Sequence, residues 1–219
     1  MANKPKVIFL DAVGTLFGVR ESVGEVYSAI ADKFGVTVPA DTLNTAFFQA
    51  FAASEPLAFP GTELEEIPQC EFEWWRVIAL RTFQQAGVLN QFPDFTEFFD
   101  ELYNHFATAE PWFIYPDVLP ALEVWRRSGI QLGIVSNFDS RLKFVLDALN
   151  LKDLFTSVTI STEVGFAKPD PQIFITALQK HNCAPQDAWH IGDSFKEDYQ
   201  GATAAGLRAI LLNRKEEKL

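Results

Sequence analysis

The stretch from Val7 to Phe17 places a potentially reactive carboxylate at the end of a strongly apolar segment. Four apolar residues, Val7 to Leu10, lead directly into Asp11, and Gly14 follows in the turn. A short apolar run bounded by turn residues predicts a fully buried parallel strand. Open α/β sheets bind their ligands at the carboxyl ends of such strands. We expect Asp11 at that end, although a lone Asp there also fits a helix cap or a simple turn.

Three further stretches carry residues that bind oxygen anions, metal ions or negatively charged substrates. They are Val135-Ser136-Asn137, Ala167-Lys168-Pro169 and His190-Ile191-Gly192-Asp193-Ser194, the last followed by Asp198. Ser136 and Asp193 end or follow predicted strands, and Lys168 lies in the loop after another strand. We therefore expect them at the same sheet edge as Asp11. Taken singly, each also fits an ordinary turn, surface or helix-start residue.

In chain order, the four stretches resemble the four signature motifs of the haloacid dehalogenase superfamily. The resemblance implies that Asp11 is the nucleophile. It also implies that Ser136 and the backbone amide of Asn137 bind the substrate's non-bridging oxygens. Lys168 would then neutralise the dense negative charge of Asp11 and of the transferring group.

The same resemblance implies a Mg²⁺ site at this edge. Asp11, Asp193 and Asp198 would supply carboxylates, and Val13 would supply a backbone carbonyl. Mg²⁺ prefers oxygen ligands and typically binds through one or two carboxylates plus a substrate phosphate. A carboxylate beside such a cation can attack phosphorus or carbon, forming a covalent intermediate that water later cleaves. Mg²⁺ is therefore the predicted cofactor.

Position 13 departs from the pattern of the phosphatases in this superfamily, which carry a second Asp there as general acid and base. Val13 can neither donate nor accept a proton, and such a group typically contributes about 10²–10⁴-fold in rate. The favoured interpretation is Mg²⁺-dependent hydrolysis of a phosphate ester through an aspartyl-phosphate on Asp11. The small-molecule substrate would have a good leaving group or would supply its own acid.

Three alternatives stay open. In a 2-haloacid dehalogenase, Asp11 would displace halide without a metal, and an arginine of the cap would bind the substrate. The insert offers Arg20, Arg76 and Arg81 for that role. A phosphonate-cleaving enzyme would need a Schiff-base lysine, for which the insert offers only Lys33. The third alternative is a non-catalytic binding module that retains the fold.

Hydrophobic patterning predicts an α/β fold: a doubly wound parallel (Rossmann-like) sheet core with an inserted α-helical cap domain. From Tyr115 onwards, predicted strands and helices alternate, which implies right-handed crossovers in a parallel sheet. Four helical stretches with apolar residues at helical spacing precede them. We assign residues 1–19 and 114–219 to the core and residues 20–113 to the cap. Asp117 is predicted to cap a helix, and residues 214–218 to form a solvated tail.

Charge and composition limit the classes of partner that we expect. The net charge is −11, and residues 20–113 hold 15 acidic residues against 4 basic ones, while the rest is balanced at 14 each. This field disfavours nucleic acid, whose binding depends on cations, although plain solubility also explains it. No membrane span or secretory signal is predicted. Cys70 and Cys183 have no metal or redox spacing, which favours reduced thiols and a cytoplasmic location.

Overall fold

A computed structural model gives the fold and describes residues 4–214. The strands and helices follow in chain order: β1 (Val7–Leu10), β2 (Phe17–Val19), α1 (Val23–Lys33), α2 (Ala40–Ala52), α3 (Ile67–Gln85), α4 (Phe95–His105), β3 (Trp112–Ile114), α5 (Val118–Arg127), β4 (Gln131–Ser136), α6 (Arg141–Ala148), β5 (Ser157–Ile160), α7 (Ser161–Val164), α8 (Pro171–Lys180), β6 (Ala188–Gly192), a π-helix (Phe195–Gln200), α9 (Gly201–Ala204) and β7 (Arg208–Leu211).

The central feature is a five-stranded parallel sheet in the order β5-β4-β1-β6-β7. The chain runs outward from β1 through β4 to β5, then returns to the other side of β1 for β6 and β7. Leu10, the last residue of β1, pairs with Ile134 on one side and Ile191 on the other. The order of the strands thus reverses at β1, which is where ligands bind in open α/β sheets. The predicted α/β parallel-sheet fold class is confirmed.

Burial on both sides explains why β1 is uniformly apolar. All four of its residues are buried, and Val7 and Phe9 belong to a core cluster that includes Ile173 and Phe174 of α8. A strand covered on both faces has no polar alternation, so its sequence is a continuous apolar run. The first polar residue of this segment is therefore the one that leaves the sheet.

The chain divides into two compact units. The described part of the first comprises residues up to Gly18, Leu57–Ile67 and residues from Phe113 onwards. The second comprises Val19–Pro56 and Pro68–Trp112, which hold α1, α2, α4 and nearly all of α3. The second unit has its own core of aromatic and aliphatic side chains, including Tyr27, Phe83 and Phe98. Most of its aromatic residues therefore serve packing, as their helical spacing predicts.

The structure differs from the sequence-based predictions at Asp117 and at Arg214, and it adds a two-stranded sheet of β2 and β3 that no pattern predicted. The helical segment before Gly206 consists of the π-helix followed by α9. Asp117 precedes α5 but makes no side-chain capping hydrogen bond. Arg214 is largely buried rather than solvated, whereas residues 215–218 of the predicted tail lie outside the described residues. Across residues 4–214, every helix is too short or too polar to span a bilayer.

Candidate active site

Asp11 is the first residue beyond β1 and is 7% exposed. Its backbone amide donates to the carbonyl of Ile191 at 2.9 Å, which continues the ladder between β1 and β6. Two donors meet one oxygen of its side chain: Ser136 Oγ at 2.9 Å and Lys168 Nζ at 2.6 Å from Oδ1. Both bonds go to Oδ1, so they orient the carboxylate while engaging only one of its two oxygens.

Asn137 fixes the loop that carries Lys168. Its side-chain amide donates to the Lys168 carbonyl at 2.9 Å, and its Oδ1 accepts from the Lys168 backbone amide at 2.6 Å. Two bonds in opposite directions tie the residue after β4 to a loop 31 positions along the chain. From the sequence, only the backbone amide of Asn137 was expected to have a role. The side chain is an additional positioning group.

Lys168 is buried between two carboxylates. Its Nζ lies 2.6 Å from Asp11 Oδ1 and 2.6 Å from Asp198 Oδ1, and only 1% of the side chain is exposed. Burial alone would lower the pKa of Lys168, but the two carboxylates outweigh it and raise that pKa above its ordinary value. Lys168 is thus a permanent cation at neutral pH.

Asp198 comes from the π-helix and reaches back toward the sheet. Its Oδ1 also accepts from His190 Nε2 at 2.8 Å, and its Oδ2 accepts from the Ser194 backbone amide at 3.0 Å. Burial opposes ionisation, but the hydrogen bond from His190 and the charge of Lys168 hold the pKa of Asp198 well below its ordinary value. Gly192 leaves room for this approach, since a Cβ there would stand 2.6 Å from Asp198 Cβ. Asp198 is therefore ionised and held in place by three donors.

His190 lies wholly inside the sheet, and sequence reasoning gave it no role. Burial lowers the pKa of His190, so the imidazole is neutral and its Nε2 donates to Asp198. Its ring also packs edge-on against Phe174, with centroids 5.0 Å apart. The signal was its place in the strand before Gly192-Asp193, but a lone buried His is usually a packing residue.

Asp193 is the solvent-exposed member of a cluster of three carboxylates. Ligand oxygens of Asp11, Asp193 and Asp198 all lie within 4.8 Å of one another. Partial desolvation and the charges of the other two carboxylates raise the pKa of Asp193 to about 6. Gly14 packs directly against it: at φ +85°, a Cβ on Gly14 would stand 2.7 Å from Asp193 Cγ. The turn after Asp11 therefore needs glycine for both conformation and space.

The charges of this cluster fit a divalent cation. At neutral pH the three carboxylates carry three negative charges, and among residues 4–214 the cation in ion-pair contact with the cluster is the ammonium of Lys168, which contacts Asp11 and Asp198. His190 adds no charge because its imidazole is neutral. The remaining two negative charges and the hard oxygen donors match what Mg²⁺ requires.

Val13 lies in the turn between Asp11 and Gly14 and is half-buried. It forms an isolated bridge with Phe17, while the Gly14 amide donates to the Phe17 carbonyl at 2.8 Å. The side chain adds an apolar surface within two residues of Asp11 and no proton donor.

Comparison with known proteins agrees with this geometry. A family model described as haloacid dehalogenase-like hydrolase matches residues 5–206. The chain belongs to the haloacid dehalogenase-like hydrolase family. Haloacid dehalogenase-like hydrolase domain-containing protein 3 of Mus musculus is 37% identical over 214 residues, covering 96% of this chain and 83% of the mouse protein.

Solved structures of this family share the fold. A HAD phosphatase from Thermococcus onnurineus superposes with a TM-score of 0.63 at 24% identity, covering 98% of this chain and 89% of that one. A 2-haloacid dehalogenase from Pseudomonas syringae pv. Tomato DC3000 superposes with a TM-score of 0.64 at 22% identity, covering 98% of this chain and 91% of that one. The two neighbours differ in named activity, so family membership leaves the reaction open.

Proposed function

We propose that this haloacid dehalogenase-like hydrolase is a Mg²⁺-dependent enzyme that cleaves phosphate esters through an aspartyl-phosphate on Asp11. The observation that carries the proposal is the charge of the site. Carboxylate oxygens of Asp11, Asp193 and Asp198 lie within 4.8 Å of one another, and one buried ammonium pairs with Asp11 and Asp198. A reaction that needs no metal gives no reason to gather three carboxylates.

The proposed metal ligands are the carboxylates of Asp11, Asp193 and Asp198 with the backbone carbonyl of Val13. When bound, Mg²⁺ would neutralise the excess negative charge and polarise the substrate phosphoryl group. Asp193 suits this role best, because its carboxyl reaches solvent. Asp198 already accepts from three protein donors, so its main contribution is to hold Lys168.

The chain's own residues supply the remaining chemistry. Oδ2 of Asp11 forms the new bond to phosphorus while the ester oxygen leaves. Ser136 and Lys168 keep the carboxylate oriented and offset the charge that builds up on the non-bridging oxygens. The Asn137 amide would donate to those oxygens. Water then attacks phosphorus, which releases phosphate and regenerates Asp11.

Val13 restricts the substrate. Without a general acid two residues after the nucleophile, the leaving oxygen must depart as a stable anion or take its proton from the substrate itself. Esters of acidic alcohols and phenols meet that condition. We propose further that residues 20–113 are the family's cap and select the substrate.

A second candidate is 2-haloacid dehalogenation, and Val13 is the observation that favours it. Halide leaves without a proton, so the missing acid would cost nothing. Asp11 would then attack carbon, and water would cleave the resulting ester.

Hydrolysis of p-nitrophenyl phosphate tests the proposal, because its leaving group needs little acid assistance. The assay compares Mg²⁺ with chelator, and Asp11→Asn with Asp147→Asn, which removes an exposed carboxylate from α6. We expect Mg²⁺-dependent turnover that is lost in Asp11→Asn and kept in Asp147→Asn. Turnover that persists in Asp11→Asn would refute the nucleophile. If wild type is inactive, halide release from 2-haloacids is tested next, and a second failure favours a non-catalytic binding module.

A further inference from the structure

The segment after β7 returns to the turn that carries Asp11. Leu211 pairs with Gly192 in the sheet, and the Leu212 amide donates to the Gly192 carbonyl at 2.8 Å. Because β7 runs parallel to β1, this brings Arg214 to the carboxyl edge of the sheet. Only 12% of the Arg214 side chain is exposed.

Contacts with Thr15, Asp117 and Tyr115 hold the Arg214 guanidinium. Nη2 donates to the Thr15 carbonyl at 2.7 Å, and Nη1 donates to Asp117 Oδ1 at 2.6 Å. The guanidinium carbon stands 4.1 Å from the centroid of the Tyr115 ring. A planar group with several donors can serve two acceptors while stacking on a ring, which a lysine ammonium cannot do.

The turn that Arg214 contacts is the one that shapes the active site. Inside it, the Ala12 carbonyl accepts from the amides of Thr15, Leu16 and Phe17 at 3.3, 2.8 and 3.3 Å. Outside it, the Tyr115 amide donates to the Leu16 carbonyl at 3.2 Å. Arg214 and Tyr115 thus bind two consecutive carbonyls from the outer side.

The opposite side of this turn has little free space. Gly14 packs so closely against Asp193 that a single added carbon would overlap its carboxyl group. A shift of the turn therefore changes the separation of Asp11, the Val13 carbonyl and Asp193. Interiors packed this closely transmit small displacements.

We propose that Arg214 is a positioning residue that holds the turn from Asp11 to Phe17 in its active geometry. The catalytic consequence rests on the proposed function, whereas the hold on the turn rests on the contacts alone. Arg214 lies beyond residues 5–206, the part that the family model describes. Arg214, the last residue that the structure describes, thus supports the site from outside that region.

The test compares Arg214→Met with Arg208→Met. Arg208 is the matched control because it also stacks on a ring, 4.6 Å from the centroid of Trp189, but it pairs with Trp189 at the other end of β7. Backbone amide hydrogen exchange is followed by NMR at Leu16, with Ile134 of β4 as an internal reference. Arg214→Lys tests partial rescue.

We expect Arg214→Met to speed exchange at Leu16 by about tenfold or more relative to Ile134, since a charged hydrogen bond to the turn is lost. Arg208→Met should leave that ratio unchanged. Arg214→Met should also weaken Mg²⁺ binding severalfold and lower kcat for p-nitrophenyl phosphate about tenfold, with KM changed less than kcat. Arg214→Lys should fall between wild type and Arg214→Met.

Equal exchange in wild type and Arg214→Met would overturn the proposal. Faster exchange with unchanged Mg²⁺ affinity and kcat would also overturn it, because the turn would then move without affecting the site. If wild type neither binds Mg²⁺ nor turns over, the proposed function fails, while Leu16 exchange still decides whether Arg214 holds the turn.

Discussion

Removing the Lys168 ammonium should destabilise the protein far more than removing an exposed one. Lys168→Met keeps most of the side-chain volume but leaves Asp11 and Asp198 facing each other with no cation between them. Each carboxylate oxygen lies 2.6 Å from Nζ, and the pairs are almost fully buried. At an effective dielectric constant of about 20, each pair is worth roughly 6 kcal/mol of gross Coulomb attraction.

Desolvation of the buried ions offsets much of that attraction, so the net loss is smaller. Removing one partner of a buried ion pair typically costs about 3–5 kcal/mol in the free energy of unfolding. For a chain of this size, that corresponds to a decrease of roughly 6–20 °C in melting temperature. The matched control is Lys6→Met, whose ammonium lies 2.6 Å from Asp187 Oδ2 but is 70% exposed. Exposed ion pairs contribute little to stability, so Lys6→Met should leave the melting temperature nearly unchanged.

The pH dependence of the stability difference between wild type and Lys168→Met follows from the pKa shifts. Lys168 has a raised pKa in the folded protein, so its stabilisation is complete below its ordinary value of 10.5 and is lost as pH rises above it. In the variant, one of the two facing carboxyls takes up a proton as pH falls, which relieves their repulsion. The gap between wild type and Lys168→Met should therefore be widest near pH 7–9 and narrower at pH 5.

Urea unfolding followed by circular dichroism at pH 5, 7.5 and 9 measures this gap. The result that would refute the reasoning is a Lys168→Met midpoint equal to that of Lys6→Met at pH 7.5. It would mean that Asp11 and Asp198 are not both ionised around the lysine.

Four further predictions concern the metal and the turn. Mg²⁺ should raise the melting temperature of wild type, and Asp193→Asn should reduce that gain; an equal gain would remove Asp193 from the metal site. Because the pKa of metal-free Asp193 is about 6, Mg²⁺ affinity measured by calorimetry should fall about tenfold per pH unit below 6, and this dependence should flatten in Asp193→Asn. Val13→Asp should raise turnover of unactivated phosphate esters by up to about 10²-fold in a phosphate-release assay; no increase would show that the pocket lacks more than a proton donor. Gly14→Ala should abolish the Mg²⁺-induced rise in melting temperature. The control is Gly129→Ala, at a position with a similar positive φ but no atom within 4 Å of the added carbon, and it should keep the rise. Equal effects would mean that backbone strain alone is responsible.

The features of this fold that sequence could predict are those set by local pattern. The uniform apolar run of β1 and the turn residues after it placed Asp11 at a strand end, and the structure has Asp11 directly after β1. Ser136 was predicted just beyond β4 and is its last residue. Strand ends are predictable because burial stops where the first polar side chain leaves the sheet.

Features that depend on distant partners could not be predicted. The Asn137 side chain binds backbone atoms of Lys168, and a backbone atom has no sequence signature. The charged segment from Arg214 onwards has the composition of a solvated tail, yet β7 delivers Arg214 to the Thr15 carbonyl. Within the π-helix, Asp198 packs against Gly192, a contact that a 3.6-residue period does not reveal. In each case tertiary contacts overrode the local preference.

The position of β1 at the centre of the sheet also fixes when the protein can fold during synthesis. Val7 pairs with Gln131 on one side and with Ala188 on the other, so β1 leaves the ribosome long before either neighbour exists. The segments made in between have their own core and can fold first. Until β4 and β6 appear, the apolar strand lacks both of the strands that flank it in the sheet. The cluster of three carboxylates is complete only once Asp198 has been synthesised, so it forms late in folding.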